Sequence, residues 1–298
     1  MREEPLVSVI TVTRNRAKLL GRCINSVLGQ TYKNLEHIIV DGASDDNTDD
    51  IIDGFYDDRL RYIKLESNWP IVKTIHHGVS MSNGAFITFL DSDDEYLPDK
   101  IEKQIALIKS LPEDYGMVYC WMTYFDSSKN NKIIRIHNTK LRGFVPVEAL
   151  EMPTISGTPT FLFRKKAFIE SGGWNEENPI PTDWELGARF CQKWKVDYVP
   201  ESLVNVYVNH IYERVSTHMR YDKAFLGKRI AMHEYFLKEY KETFDKRFGS
   251  RWYHYKSLAF FCMKDRDIIK GIKYFVLYID SMAIVFLSKL LHCVNKDK

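Results

Sequence analysis

An α/β fold built on a mostly parallel sheet, with a helical extension at its C-terminal side, is what this sequence predicts. Short apolar runs rich in β-branched residues recur at 7–12, 35–40, 60–65, 86–90 and 117–125, and helix-period segments such as AKLLGRCINSVLGQ and IVKTIHHGVSM separate them. That alternation builds βαβ units, whose strands align in parallel through right-handed crossovers with helices on both faces. From about Asp222 onward the chain instead reads as helices rich in aromatic and basic residues. The division expected is therefore an α/β domain over residues 1–221 and a helical extension over 222–298.

The elements follow in order. MREEPLVSVITV places acids before a short apolar run that ends at Thr13-Arg14-Asn15-Arg16, which suits a first strand and lacks the layout of a signal peptide. After the second run, Asn47-Thr48 marks a helix start with Asp49 and Asp50 complementing its dipole. Pro98 suits the first position of a later helix. Beyond residue 130 the rhythm weakens, with a loop expected at 127–131 and strands at 160–163 and 203–208. The segment KYFVLYIDSMAIVFLSKLLHCV approaches membrane-spanning length but contains Asp280 and Lys289, which are costly in hydrocarbon. Its Phe275, Ile279, Met282, Val285, Phe286 and Leu290 recur at helical spacing, so an amphipathic helix is expected, packed on its own neighbours or lying on a membrane surface. Arg247, Arg251, Lys256 and Lys264, set among Trp252, Tyr253, Tyr255, Phe260 and Phe261, suit either an anionic interface or ordinary packing with a basic rim.

Charge and thiols narrow the classes. The chain's 42 basic residues nearly balance 40 acidic ones, which gives no sign of a nucleic-acid partner. The five cysteines (Cys23, Cys120, Cys191, Cys262 and Cys293) are scattered without a C-x-x-C pair, as expected of reduced thiols in the cytoplasm.

Three carboxylate groupings carry the chemistry. In ITFLDSDDEYLPDK, Asp91, Asp93 and Asp94 follow an apolar strand directly, and ligands of such sheets gather at the carboxyl ends of strands. Helix capping employs one acid, not three, so the cluster calls for a counter-charge; a hard divalent cation, Mg²⁺ or Mn²⁺, suits oxygen ligands. A solvated loop and a phosphotransfer nucleophile are the other readings of this stretch. In DGASDDNTDDIID, Asp41 ends a strand ahead of Gly42, where its carboxylate is placed to accept hydrogen bonds from a base or ribose. The oxygen spacing does not match an EF-hand loop. In PTDWELGARF, Thr182 and Glu185 match a capping box, which leaves Asp183 in a first helical turn, where the dipole favours its ionised form. Such a carboxylate can serve as a general base toward a hydroxyl, or simply start a helix.

Taken in order, SVITVTRNRAKLLGRCINSVLGQTYKNLEHIIVDGASDDNT, NGAFITFLDSDDEYLPDKI, TPTFLFRKKAFIESGGWNEE and PTDWELGARF resemble the family 2 glycosyltransferases, inverting enzymes with the GT-A nucleotide-sugar fold. The resemblance implies a base-binding edge at Val12, Thr13 and Arg14, a nucleobase contact at Asp41, and a D-x-D motif at Asp91-Ser92-Asp93 with Asp93 on the metal. It also implies Asp183 as catalytic base and His210 beside the diphosphate. A Mn²⁺ or Mg²⁺ cofactor is implied, with a nucleotide-sugar donor (UDP foremost) and a glycan or lipid-linked acceptor. The expected location is the cytoplasm or the inner face of the membrane, with peripheral contact through the C-terminal helices. Two departures stand out: Arg14 replaces a common aromatic, and Ile75-His76-His77-Gly78 lacks the usual arginine, for which Lys73 or His76 are the available substitutes. A nucleotidyltransferase on a related sheet and a non-catalytic glycan- or nucleotide-binding module are the alternatives; TVTRNRAKLL lacks the glycine-rich loop of the former.

Overall fold

The structure, a computed structural model, describes residues 4–155, 157–176, 182–212 and 223–294. The chain divides into two compact units: Met1–Phe144 with Ile155–Glu176 and Asp183–Glu213, and Val145–Thr154 with Glu177–Thr182 and Arg214–Lys298.

A nine-stranded sheet organises the first unit. Strands β1 (Val7–Thr13), β2 (Leu35–Asp41), β3 (Leu60–Lys64) and β4 (Phe86–Phe89) lie in the order β3-β2-β1-β4, all parallel. Beyond β4 come β8 (Leu162–Arg164), β6 (Tyr115–Asp126), β9 (Lys195–Val208) and the short β5 (Glu95–Tyr96), with β7 (Lys132–His137) on the edge of β6. The long β6–β9 pairing is parallel, whereas β8, β7 and β5 join antiparallel.

Every residue of β2 is buried, because helices cover both faces of this part of the sheet. Helix α1 (Ala17–Leu28) lays Leu20, Ile24 and Val27 inward at three- and four-residue spacing. Helix α3 (Ile71–Ser80) reaches the other face through Gly78, where a Cβ would stand 2.7 Å from Ile10 Cγ2. Polar groups on the buried strands find partners. Glu36 accepts from Ser8 Oγ at 2.7 Å and pairs with Arg61 at 2.6 Å, and His37 Nε2 meets Thr11 Oγ1 at 3.0 Å. Burial without a counter-charge pushes the His37 pKa down to about 3, so this imidazole is neutral.

The alternation expected for the first 125 residues is present, with local differences that have physical causes. Helix α2 (Thr48–Asp53) starts where expected, but Asp46 supplies the cap, accepting from Thr48 N at 3.1 Å and from Ala17 N at 3.0 Å. Helix α4 (Lys100–Ser110) begins two residues after Pro98, whose carbonyl is used by Thr31 N at 2.8 Å. Residues expected to be strand at 160–163 are split between a 3₁₀ turn, Thr158–Thr160, and β8. Three further short helices are α5 (Pro146–Glu151), α6 (Lys165–Glu170) and α7 (Asp183–Phe190).

The second unit holds α5 with α8 (Lys223–Glu239), α9 (Lys241–Asp245), α10 (Trp252–Lys264) and α11 (Ile268–Val294). The buried His254 joins α10 to α5 through Nε2 and the Leu150 carbonyl, 2.9 Å apart. Arg247 pairs with Glu148 and Glu151, and Arg251 with Asp245. Two of the four bases singled out as a basic rim are thus already neutralised. Among the described residues, no helix is long and apolar enough to cross a membrane.

Candidate active site

The carboxyl ends of β1, β2 and β4 lie side by side, so the loops that follow them share one crevice. Thr13 pairs in register with Asp41, placing the end of the first strand against the second acid grouping.

Asp41 is fully buried. One oxygen accepts from Ser44 N at 3.0 Å and Ser44 Oγ at 2.6 Å, and the other from the Tyr62 hydroxyl at 2.7 Å. Tyr62 also lies 2.7 Å from Asp49 Oδ1, so one phenolic hydrogen serves two carboxylates. Burial and both acids hold that phenol protonated, far above its usual range. Since a carboxylate has about four acceptor positions, Asp41 keeps room for one more donor. Beside it, Thr13 Oγ1 is buried without a hydrogen-bond partner among the described residues, a polar atom positioned to meet a ligand. Val12 is half-buried and Arg14 exposed on the same edge, and Gly42 lies between the Arg14 and Asn68 side chains.

The turn here carries strain. Ala43 adopts φ 59°, a left-handed conformation that favours glycine. Ala43→Gly is therefore expected to raise stability by about 1 kcal/mol, read as a higher denaturation midpoint.

Asp91 is exposed, whereas Ser92, Asp93 and Asp94 are buried. The cluster does not face the crevice uncompensated. Asp93 Oδ2 takes Arg16 Nη1 at 3.0 Å and His210 Nε2 at 2.8 Å, and its carbonyl accepts from Arg22 Nη2. The His210 tautomer is fixed by its other nitrogen: Nδ1 accepts from Tyr212 N–H at 3.2 Å, so Nε2 carries the proton that points to Asp93. Asp94 Oδ1 accepts from Tyr207 N at 3.0 Å, and Glu95 Oε1 from Asn205 Nδ2 at 2.7 Å and the Tyr207 hydroxyl at 2.8 Å. Arg22 lies 3.7 Å over the Tyr207 ring. Asp91, Asp93 and Asp94 each offer one oxygen, all within 4.8 Å of one another, an all-oxygen set that fits a hard divalent cation.

Asp183 opens α7. Its Oδ1 accepts from Trp184 N at 2.9 Å and its Oδ2 from Gly157 N, so both oxygens are held by main-chain donors. Gly157 has φ 93°, and a Cβ there would stand 2.3 Å from Met122 Cε, so only glycine brings this N–H to the carboxylate. Glu185, the other member of the expected capping box, is buried and pairs with Arg189 at 2.8 Å. Tyr124 links the two acid groups electrostatically: burial raises its hydroxyl pKa first, Arg135 opposes, and Asp183 and Asp94 both add to the rise. Both carboxylates therefore lie within electrostatic reach of one phenol.

Several residues at the site were not singled out in the sequence. Arg16, in the turn after β1, and Arg22, within α1, are the clearest; both are arginines close in sequence to the first strand end. Tyr62 and Tyr207 gave no such signal, since their roles depend on register across strands, and Ser44 reaches Asp41 through the local turn after β2. Of the two substitutes considered for a missing arginine, Lys73 sits 4.2 Å over the Trp69 ring, and His76 Nδ1 lies 3.6 Å from Glu176 with its Nε2 buried and unpartnered.

A family model, "Glycosyl transferase family 2", matches residues 8–172, more than half of the chain and all of the crevice except Asp183, the residues of β9 and His210. The chain belongs to glycosyl transferase family 2. Among curated relatives, an uncharacterized glycosyltransferase of Rickettsia conorii is 30% identical over 188 residues, which is 61% of this chain and 30% of that protein. Glycosyltransferase GlyG of Streptococcus pneumoniae serotype 4 is 37% identical over 99 residues, a third (33%) of each chain. The chain thus spans well under half of the length of both relatives. Among solved structures, S. aureus TarS 1-349 in complex with UDP-GlcNAc superposes with a TM-score of 0.62 over 90% of this chain and 88% of that one, at 17% identity. At that identity the likeness establishes the fold, the α/β arrangement with C-terminal helices expected from the alternation.

Proposed function

We propose that this family 2 member is an inverting, metal-dependent glycosyltransferase. It moves a hexosyl or N-acetylhexosaminyl group from a UDP-linked donor to a hydroxyl of a growing glycan or lipid-linked acceptor. The observation that carries this reading is the convergence at one crevice of an acid cluster, its flanking Arg16 and His210, and a base-edge carboxylate at Asp41. The complex of TarS with UDP-GlcNAc, a protein of the same fold, supports a uridine donor.

In this reading Asp41 and Thr13 receive the nucleoside, with Arg14 offering a guanidinium plane to the base. Asp91, Asp93 and Asp94 would hold Mn²⁺ or Mg²⁺, with Asp93 as the anchor, and the cation supplies positive charge to the leaving diphosphate. Arg16 flanks Asp93 and adds N–H donors for phosphate oxygens, while the Nε2–H of His210 holds Asp93 in place. Asp183 takes the proton of the acceptor hydroxyl as that oxygen bonds to the anomeric carbon; the bond from that carbon to the diphosphate oxygen breaks, and its electron pair leaves with UDP. Attack from the opposite face inverts the anomeric configuration without a covalent intermediate. The buried thiols of Cys23, Cys120 and Cys262, free among the described residues, support work in a reducing compartment such as the cytoplasm.

Calorimetric titration of UDP, with and without Mn²⁺, tests the donor site. Metal-dependent binding that weakens at least about tenfold in Asp93→Ala is expected. Equal affinity in both proteins would remove Asp93 from the metal, and pyrophosphate rather than UDP as product would point to nucleotidyl transfer instead.

A further inference from the structure

Among the described residues, helix α11 has an apolar face that no other element covers. Its inner face is fixed by packing within the second unit. Gly271 meets α10 so closely that a Cβ would lie 2.7 Å from Met263 Cγ; Tyr274 donates to Glu234 at 2.8 Å, Lys270 pairs with Glu234 at 2.9 Å, and Ser281 is buried. On the opposite side Ile269 is 86% exposed, and Ile272, Val276, Ile279 and Phe286 are each at least half exposed. With the exposed Ala283 these residues are spaced 3, 4, 3, 4 and 3 apart, the 3.5-residue repeat of a helix that seats a second helix.

The charges beside this seam favour one occupant. Lys273 and Asp280 sit seven residues apart on the same flank, both exposed, and neither has an ion-pair partner among the described residues. When two copies of the helix run antiparallel about a two-fold axis near residues 276 and 277, Lys273 of each copy faces Asp280 of the other, and both pairs form at once. An anionic bilayer would instead be repelled by Asp280. The nearby Arg247 and Arg251 are already neutralised by acids of their own unit. The seam from Ile269 to Phe286 is about 27 Å long, enough for five helical turns of contact.

We propose that α11 is a dimerisation surface, on which a second copy of this chain packs its own α11 antiparallel along Ile269, Ile272, Val276, Ile279, Ala283 and Phe286. Sedimentation of the full chain across about 1–100 µM, a range that brackets transient protein dimers, is expected to show a concentration-dependent dimer. Ile272→Asp/Ile279→Asp is expected to leave a monomer with unchanged circular dichroism, since both side chains are exposed. Lys273→Asp is expected to weaken the dimer about tenfold by setting like charges together, and Lys273→Asp/Asp280→Lys to restore it. A monomer at every concentration, whether or not it floats with anionic vesicles, overturns the proposal. A dimer indifferent to the charge exchange overturns the antiparallel arrangement.

Discussion

Asp183→Asn is expected to lower the transfer rate by about 10³-fold while leaving UDP affinity within about twofold, because the amide keeps the shape of the carboxylate and cannot take a proton. Both oxygens of Asp183 are held by main-chain N–H groups, of Trp184 and Gly157, so its position does not depend on a bound donor. An asparagine that turns its amide nitrogen toward either N–H loses that bond, which costs about 1 kcal/mol locally and far less than the catalytic effect. Single-turnover kinetics with a UDP-sugar and calorimetry with UDP separate the two quantities. Full transfer by the variant would end the assignment of Asp183 as base, and parallel loss of binding and rate would reassign it to the donor.

The second large effect concerns stability. Lys100 is fully buried in the first turn of α4, with its ammonium 2.8 Å from Thr88 Oγ1 and 3.8 Å from the centre of the Tyr96 ring, and among the described residues no carboxylate pairs with it. Burial pushes its pKa from 10.5 down to about 7. Between those values the unfolded chain holds a proton that the folded one does not, so this group makes stability rise with pH from about 7 to about 10.5. Below pH 7 both states are protonated and the full cost of the buried charge is present. A shift of that size corresponds to at most about 5 kcal/mol, from which the lost contact with Thr88 must be subtracted. Lys100→Met is therefore expected to gain roughly 3 kcal/mol at pH 6 and to gain nothing by pH 10. Denaturant unfolding of both proteins at three pH values reads this directly; a difference that does not vary with pH would show that the folded lysine stays charged and solvated, with the pKa it has in the unfolded chain.

How much of this was legible beforehand depends on the range of the interaction concerned. Local signals did well: the β-branched runs gave β1 to β4 and most of β6, and Gly42 after a strand marked the turn beside Asp41. Short elements defined by pairing did not appear. β5 is two residues long and exists because Leu97 N and the Glu95 side chain find β9, while β7 carries isoleucines on an exposed edge where no burial pattern develops. The same division holds at the site. Asp41, Asp91 and Asp93 stand out because acids at the ends of apolar strands are locally anomalous, whereas Asp183, at a helix start, stands out only through the family resemblance. The question of what offsets the acid loop led to a divalent cation, and the fold adds Arg16 and His210 on Asp93 itself. His210 is 117 residues from Asp93, a separation at which sequence spacing carries no geometric information.

That long separation also bears on how the protein is made. The acid loop emerges from the ribosome early, together with Arg16 and Arg22, but the backbone N–H that satisfies Asp94 and the imidazole that meets Asp93 belong to the last strand of the sheet and the residues just after it. A nascent chain that has reached β8 therefore carries a sheet nucleus with its carboxylates only partly neutralised, and β6 still lacks the partner of its longest pairing. Closure waits for β9, whose arrival supplies Tyr207 and His210 in one step. Chains that stall before that strand would carry the acid residues without the strand that completes their surroundings.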